Sequence, residues 1–187
     1  MNFKEFYESV SEKEKWFEDR TNRHIKLVKK YADRVVKEFP EYKDLTEIVS
    51  EHDASKFQEP EFTPYVEMSW MRKTEGKVEN DPEGVFESAT KHHVKNNKHH
   101  PEHWTKQEDV INKHDRDMAP EEVVIGFKMP DIYIAEMCCD WSALSEELGT
   151  NTPLEWFEKN NGTRWAFKKE QEDLIRKILN KIWIDSK

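Results

Sequence analysis

At 187 residues the chain is long enough for one domain with a sizeable core, and its seven Trp, ten Phe and five Tyr exclude the aromatic-poor composition of disorder, although 37% of residues are charged and the mean hydropathy is −1.02. A net charge of −9 argues against a generic electrostatic grip on nucleic acid or an anionic membrane. No apolar run approaches the ~20 residues of a bilayer span, and the opening MNFKEFYESV lacks the apolar centre of a signal peptide. The only cysteines, Cys138 and Cys139, are adjacent, which rules out an ordinary disulfide between them and points to a reducing, cytoplasmic compartment.

The segments with a period have the helical one. HIKLVKKYADRVVKEF (24–39) puts His24, Val28, Tyr31, Ala32 and Val35 on one face, and Pro40 ends that helix. DLTEIVSEHDASKF (44–57) is expected as a second helix with Asp44 as N-cap. Pro60 and Pro64 mark 58–65 as a loop, and the polar, Gly-containing stretch near 72–84 reads as another. PEGVFESATKHHVKNN (82–97) is a third helix with Phe86, Ala89 and His93 on its stripe, followed by a polar, His-rich and irregular run to 119. MPDIYIAEMCCDWSALSEELG (129–149) is the most apolar helix, opened by Pro130 and closed by Gly149. TPLEWFEKNNG is a short helix, and KKEQEDLIRKILNKIW is amphipathic, with Leu174, Ile175, Ile178, Leu179 and Ile182 facing inward. Val, Ile and Thr nowhere alternate with polar residues over a strand length, so an all-α single domain spanning 1–187 is expected: a helical bundle with its core at about 20–160 and a C-terminal helix at about 168–184.

Ionisable residues recur on these apolar stripes. His24 shares a face with Val28 and Val35, His52 follows Ile48 by four, His93 follows Ala89 by four, and Asp140 follows Glu136 by four and Ile132 by eight. A lone buried carboxylate costs several kcal/mol unless something pairs with it. One divalent ion accounts for four helices each turning a His or Asp inward, whereas any one of these histidines alone reads as a hydrogen-bonded core residue. Mixed imidazole and carboxylate donors suit Mn, Fe, Co, Ni or Zn, with Mg where carboxylates dominate. A second His–Asp pair, His114–Asp115, has no apolar stripe and reads as solvated surface.

The order His24, then His52–Asp53, then Asp140 resembles the HD superfamily of metal-dependent phosphohydrolases. The resemblance implies a helical core in which those four side chains hold a divalent metal. HDASK is similar to the HD-x-x-K form of the motif, which assigns Lys56 to a substrate phosphate. HDASKF, HVKNNKHHPEHW and EMCCDW together resemble a family of uncharacterised bacterial and phage proteins with this signature, over roughly residues 20–160. Two-metal members of the superfamily use two further histidines on separate helices; here His93 and His99 or His100 are the candidates, only six or seven residues apart.

The same cluster, with Lys95 and Lys98 beside it, suits phosphate, which favours His99 and His100 as substrate ligands and leaves His93 open between metal and phosphate; a solvated loop is the bland alternative. Asn97 would orient substrate or cap its helix. Glu136 is a candidate general base, a partner of a metal ligand or of Lys56, or one half of an ion pair. Arg23 is a candidate phosphate clamp or a surface residue, and Trp104 and Trp141 are core residues or a stacking surface for a base. The resulting expectation is metal-dependent hydrolysis of a nucleotide or other small phosphate ester, with Asp53 or Glu136 orienting or deprotonating the metal-bound water and Lys56 countering phosphoryl charge. Two alternatives stand beside it: a non-catalytic metal- or nucleotide-binding protein on the same fold, and a di-iron oxygenase.

Overall fold

The structure is a computed structural model; it describes residues 3–78, 80–107 and 123–183, with side chains from residue 12 onward except that of residue 82. Helix α1 (Phe3–Glu38) begins far upstream of the segment expected from the sequence. Its buried stripe of Val35, Ala32, Tyr31, Val28 and His24 continues through Thr21 and Phe17 at the same three- and four-residue spacing. A Thr and a His within that stripe are what hid the continuation. Pro40 follows the end of α1, as expected, and opens a 3-10 turn over Pro40–Tyr42.

The expected second helix is a correction. Residues Leu45–Ile48 form the single α-turn α2, followed by 3-10 turns at Val49–Glu51 and Ala54–Phe57, and Asp44 makes no side-chain cap. The chain breaks between those turns, where His52 is extended (φ −54, ψ 128) and Asp53 is left-handed (φ 59, ψ 12). Asp tolerates that region better than most residues. The supposed loop at 58–65 is also corrected: α3 spans Phe62–Glu75 with Pro64 in its first turn, where backbone N–H groups lack helical partners anyway.

Helix α4 (Val85–Asn96) turns Phe86, Ala89 and His93 inward as the period predicts. The short α5 (Pro101–Trp104) gives order to part of the expected irregular run, and His114–Asp115 lies outside the described residues. Helix α6 (Asp131–Leu148) starts after Pro130 and ends at left-handed Gly149. Helix α7 (Pro153–Asn160) is held by a capping box between Thr152 and Glu155, and α8 (Lys169–Ile182) buries Ile175, Ile178, Leu179 and Ile182. No strand was expected; two two-residue strands, β1 (Val124–Ile125) and β2 (Trp165–Ala166), pair in parallel. Two residues are too few to show a period, so the sequence carries no signal for them.

The architecture is all-α in one domain. Helix α1 packs on α6, α3, α8 and α2, and α6 also packs on α7 and α8, so α6 is central and its stripe of Ile134, Ala135, Cys138 and Cys139 is fully buried. No helix among the described residues is long and apolar enough to cross a membrane.

Candidate metal centre

The break at His52–Asp53 builds the site. On a continuous helix, neighbouring side chains diverge by about 100° and cannot both enter one buried spot. The left-handed Asp53 lets both do so: His52 is 3% and Asp53 1% exposed. Glu136 on α6 receives His52 Nδ1 at 2.9 Å. Burial opposes the charge of Glu136, but His52 and His99 hold its pKa down to about 2, so it is an acceptor and His52 Nδ1 is the donor. The remaining nitrogen of His52, Nε2, is buried without a hydrogen-bond partner among the described residues, 3.9 Å from both Asp53 Oδ2 and Asp140 Oδ1. Metal–donor bonds of about 2.0–2.2 Å keep two donors on one ion within about 4.4 Å of each other, so His52 Nε2 is close enough to share an ion with either carboxylate. The fourth expected ligand, His24 on α1, reaches Asp140 Oδ1 with Nε2 at 2.9 Å and Glu147 Oε2 with Nδ1 at 3.4 Å. Burial lowers its pKa, but the two carboxylates outweigh that and raise it to about 9, so a proton makes an ion pair there in the absence of metal. His24, His52 and Asp53 together form a group able to hold a metal ion.

A second group shares Asp53. His93 Nε2 is 3.3 Å and His99 Nε2 3.8 Å from Asp53 Oδ1, an atom that is buried and lacks a hydrogen-bond partner among the described residues. His93, His99 and His100 also have donor atoms close enough for one ion. Burial, then the His99 and His93 rings, push the His100 pKa well down, which keeps that ring neutral and its Nε2 available. Lys56 Nζ sits 2.6 Å from Asp53 Oδ2. Although burial opposes it, Lys56 and the flanking histidines hold the Asp53 carboxyl well below the usual range, and Asp140 is lowered likewise against burial, chiefly by His24.

Above these donors lies a cavity of about 190 Å³ lined by His24, Asp53, Lys56, His93, His100 and Asp140, together with Arg20, Arg72, Arg164, Trp141, Trp156 and Trp165. The expected site residues therefore divide. His24, His52, Asp53, Asp140, Lys56, His93, His99, His100 and Glu136 are gathered into one cluster. Asn97 is not turned into the cavity; it donates to the His93 carbonyl at 2.9 Å, capping α4, and to Ser55 Oγ at 2.9 Å. His99 is also not a cavity residue: its ring lies between those of His52 (4.1 Å) and His100 (4.2 Å), and its Nε2 faces Asp53. Glu136 receives His52 rather than facing open space, which makes it a positioning group and not a base that meets water in the cavity. Lys95 bonds the Gln107 carbonyl and Lys98 lies over the Tyr133 ring, so neither lysine makes the histidine run cationic toward the cavity.

Several cavity residues were not anticipated. Arg23 is exposed, whereas Arg20, four residues before His24 and so on its face, lines the cavity and pairs with Glu147 at 2.9 Å. Arg164 is 3% exposed and lies against the Trp156 and Trp165 rings. Trp141 stacks on Trp165 at 5.3 Å and on Phe157 at 6.1 Å, so it is core and cavity wall at once. Trp104 packs against Tyr133 at 5.4 Å. Glu61, fully buried under His92 and His93, was hidden in the stretch read as a loop.

A protein-family model matches residues 13–182, and it is the model of a family of unknown function, DUF5662. The chain belongs to the DUF5662 family. No curated protein and no solved structure is significantly similar to it. Membership fixes the family over nearly the whole chain and leaves the chemistry to be argued from the site.

Proposed function

We propose that this DUF5662 protein is a metal-dependent phosphohydrolase of HD type, acting on a nucleotide or other small phosphate ester. The observation that carries the reading is His52 Nε2, buried and without a hydrogen-bond partner among the described residues, facing the carboxylates of Asp53 and Asp140 at 3.9 Å each. A buried imidazole nitrogen without a hydrogen-bond partner, set beside two carboxylates, calls for a cation. His52, Asp53 and Asp140, joined by His24 once it gives up its proton, would hold the ion, with Mn, Fe, Co, Ni, Zn or Mg as candidates.

Such an ion supplies a bound water acidified to near neutrality and polarises a phosphoryl oxygen. The protein's own groups do the rest. Glu136 keeps the Nδ1–H form of His52 and so aims Nε2. Asp53, which lines the cavity, orients the attacking water, whose proton passes to cavity water as its oxygen bonds to phosphorus. The ester P–O bond breaks, and the leaving oxygen takes its proton from cavity water. Lys56, Arg20 and Arg72 line the cavity, where they counter the charge of the phosphoryl oxygens. Trp156, Trp165 and Arg164 offer a flat wall to the organic part of the ester. Buried free thiols at Cys138 and Cys139 suit the reducing cytoplasm.

Elemental analysis of the purified protein, followed by phosphate release from a nucleotide panel with added Mn, Co, Ni or Mg, tests the reading. Bound or activating metal with release from at least one ester supports it; metal-free protein inert with every ion refutes it. The His93, His99 and His100 group beside Asp53 favours one second reading, a two-metal centre, which in di-iron form is an oxygenase site. Two irons per chain with oxygen consumption and no phosphate release would select it. Tight nucleotide binding without turnover would select a binding protein.

A further inference from the structure

Glu61 has no part in the chemistry described so far, yet it is completely buried and surrounded by donors. Oε1 meets His92 Nδ1 at 2.8 Å, and Oε2 meets His93 Nδ1 at 2.8 Å and the Ser55 hydroxyl at 2.9 Å. Asn97 donates its amide to Ser55 Oγ at 2.9 Å, so the Ser55 proton is directed onward to Glu61. Asn97 Nδ2 also lies 3.0 Å from His93 Nδ1, but the Glu61 carboxylate is nearer and can only accept, so His93 Nδ1 carries its hydrogen. The nitrogen left over is Nε2, 3.3 Å from Asp53 Oδ1. Two acceptors facing each other at that distance in a buried site need a cation between them: a proton in the metal-free protein, a metal ion when one is bound. A phosphate ligand would instead need Nε2 to donate.

We propose that Glu61 is a positioning residue that locks His93 in its Nδ1–H form and thereby makes His93 a ligand for a divalent cation shared with Asp53, not a phosphate donor. This rests on the metal reading above. His92 is the internal control, because it occupies the other oxygen of Glu61 and its side chain is 42% exposed. Carboxylates that hold a metal-ligating histidine typically contribute 10–100-fold to metal affinity.

The test uses Zn(II) as the probe, with calorimetric titration of the full chain and nitrogen-15 NMR of the histidine rings at a pH where they are neutral. Metal-free wild type should show His93 protonated on Nδ1, with Zn(II) moving the Nε2 signal. Glu61→Gln must turn an amide N–H toward one imidazole N–H, and should weaken one Zn(II) per chain by 10–100-fold; His92→Gln should stay within about twofold of wild type. If Glu61→Gln does not fold, Glu61→Asp, which keeps the charge but withdraws it by one methylene, should show the same direction of loss. Wild-type Zn(II) affinity in a folded Glu61 variant overturns the proposal alone. A His93 ring that carries no proton on Nδ1 in metal-free wild type overturns it as well. No Zn(II) uptake by wild type, with Nδ1–H intact, overturns the metal reading and leaves Glu61 a structural carboxylate.

Discussion

Asp53→Asn is the sharpest perturbation of the centre, because it removes one charge and almost nothing else. Asn accepts the left-handed conformation that Asp53 adopts at φ 59, and it has the same shape. It also retains an oxygen for Lys56, 2.6 Å away in the native chain, so the metal-free fold should survive with a loss toward the lower end of the ~1.5–3 kcal/mol of a charged hydrogen bond. The metal-bound state fares differently. At a metal concentration 100-fold above Kd, binding stabilises the native protein by about 2.7 kcal/mol. For a chain of this size that is a rise in Tm of about 5–11 °C, at roughly 2–4 °C per kcal/mol. If loss of the carboxylate raises Kd by as little as ~100-fold, the same metal concentration stabilises by only about 0.4 kcal/mol, or roughly 1–2 °C. Thermal melts of both proteins with and without Mn(II), matched in concentration, measure the difference. A variant whose Tm rises with Mn(II) as much as wild type would refute the placement of the ion at Asp53.

Two further outcomes follow from the same geometry. Lys56→Ala should keep the metal-induced rise in Tm but lose about 1.5–3 kcal/mol in kcat/KM, roughly 10–150-fold, on whichever phosphate ester is turned over; loss of metal instead would make Lys56 a structural partner of Asp53. Away from the centre, Glu146 accepts from Lys30 Nζ and the Tyr31 hydroxyl, each at 2.7 Å, and although burial opposes it these partners lower its pKa below 4.5. A depressed carboxyl stabilises above its unfolded pKa and loses that contribution as pH falls through the folded value. Glu146→Gln should therefore be less stable than wild type by about 1 kcal/mol at pH 7, with the gap closing below about pH 4.5 in urea titrations.

The parts of the fold that were legible are those where a period and its punctuation agree. Helix α6 has an apolar stripe, Pro130 before it and Gly149 after it, and all three lie where the sequence put them. Helix α8 is as clear, with Ile175, Ile178, Leu179 and Ile182 buried. The stretch 44–57 was misread because Leu45, Ile48 and Val49 continue a helical spacing up to the residue where the backbone departs from it. Composition does not announce a left-handed aspartate. Glu61 was missed because Pro60 and Pro64 bracket it, and prolines punctuate a loop and a helix's first turn alike. Arg20 was passed over for Arg23 because adjacency in sequence was weighed above the helical face.

Those misreadings share a cause that bears on function. Asp53 leaves regular structure so that its two oxygens can face opposite ways: Oδ2 toward His52 and Lys56, Oδ1 toward His93 and His99. Each side has a histidine whose Nδ1 is taken by a buried carboxylate, His52 by Glu136 and His93 by Glu61, so both turn Nε2 toward Asp53. Asp53, Glu136 and Glu61 are thus buried about these rings, with Asp140 partly exposed beside them, and Lys56 is bonded to Asp53. Buried anions in that number are costly without cations among them. A divalent ion on either side of Asp53 reverses the local sign, and a protein of net charge −9 can then present an anion with a site that attracts it, since the field inside a cavity is set by its nearest charges more than by the distant surface.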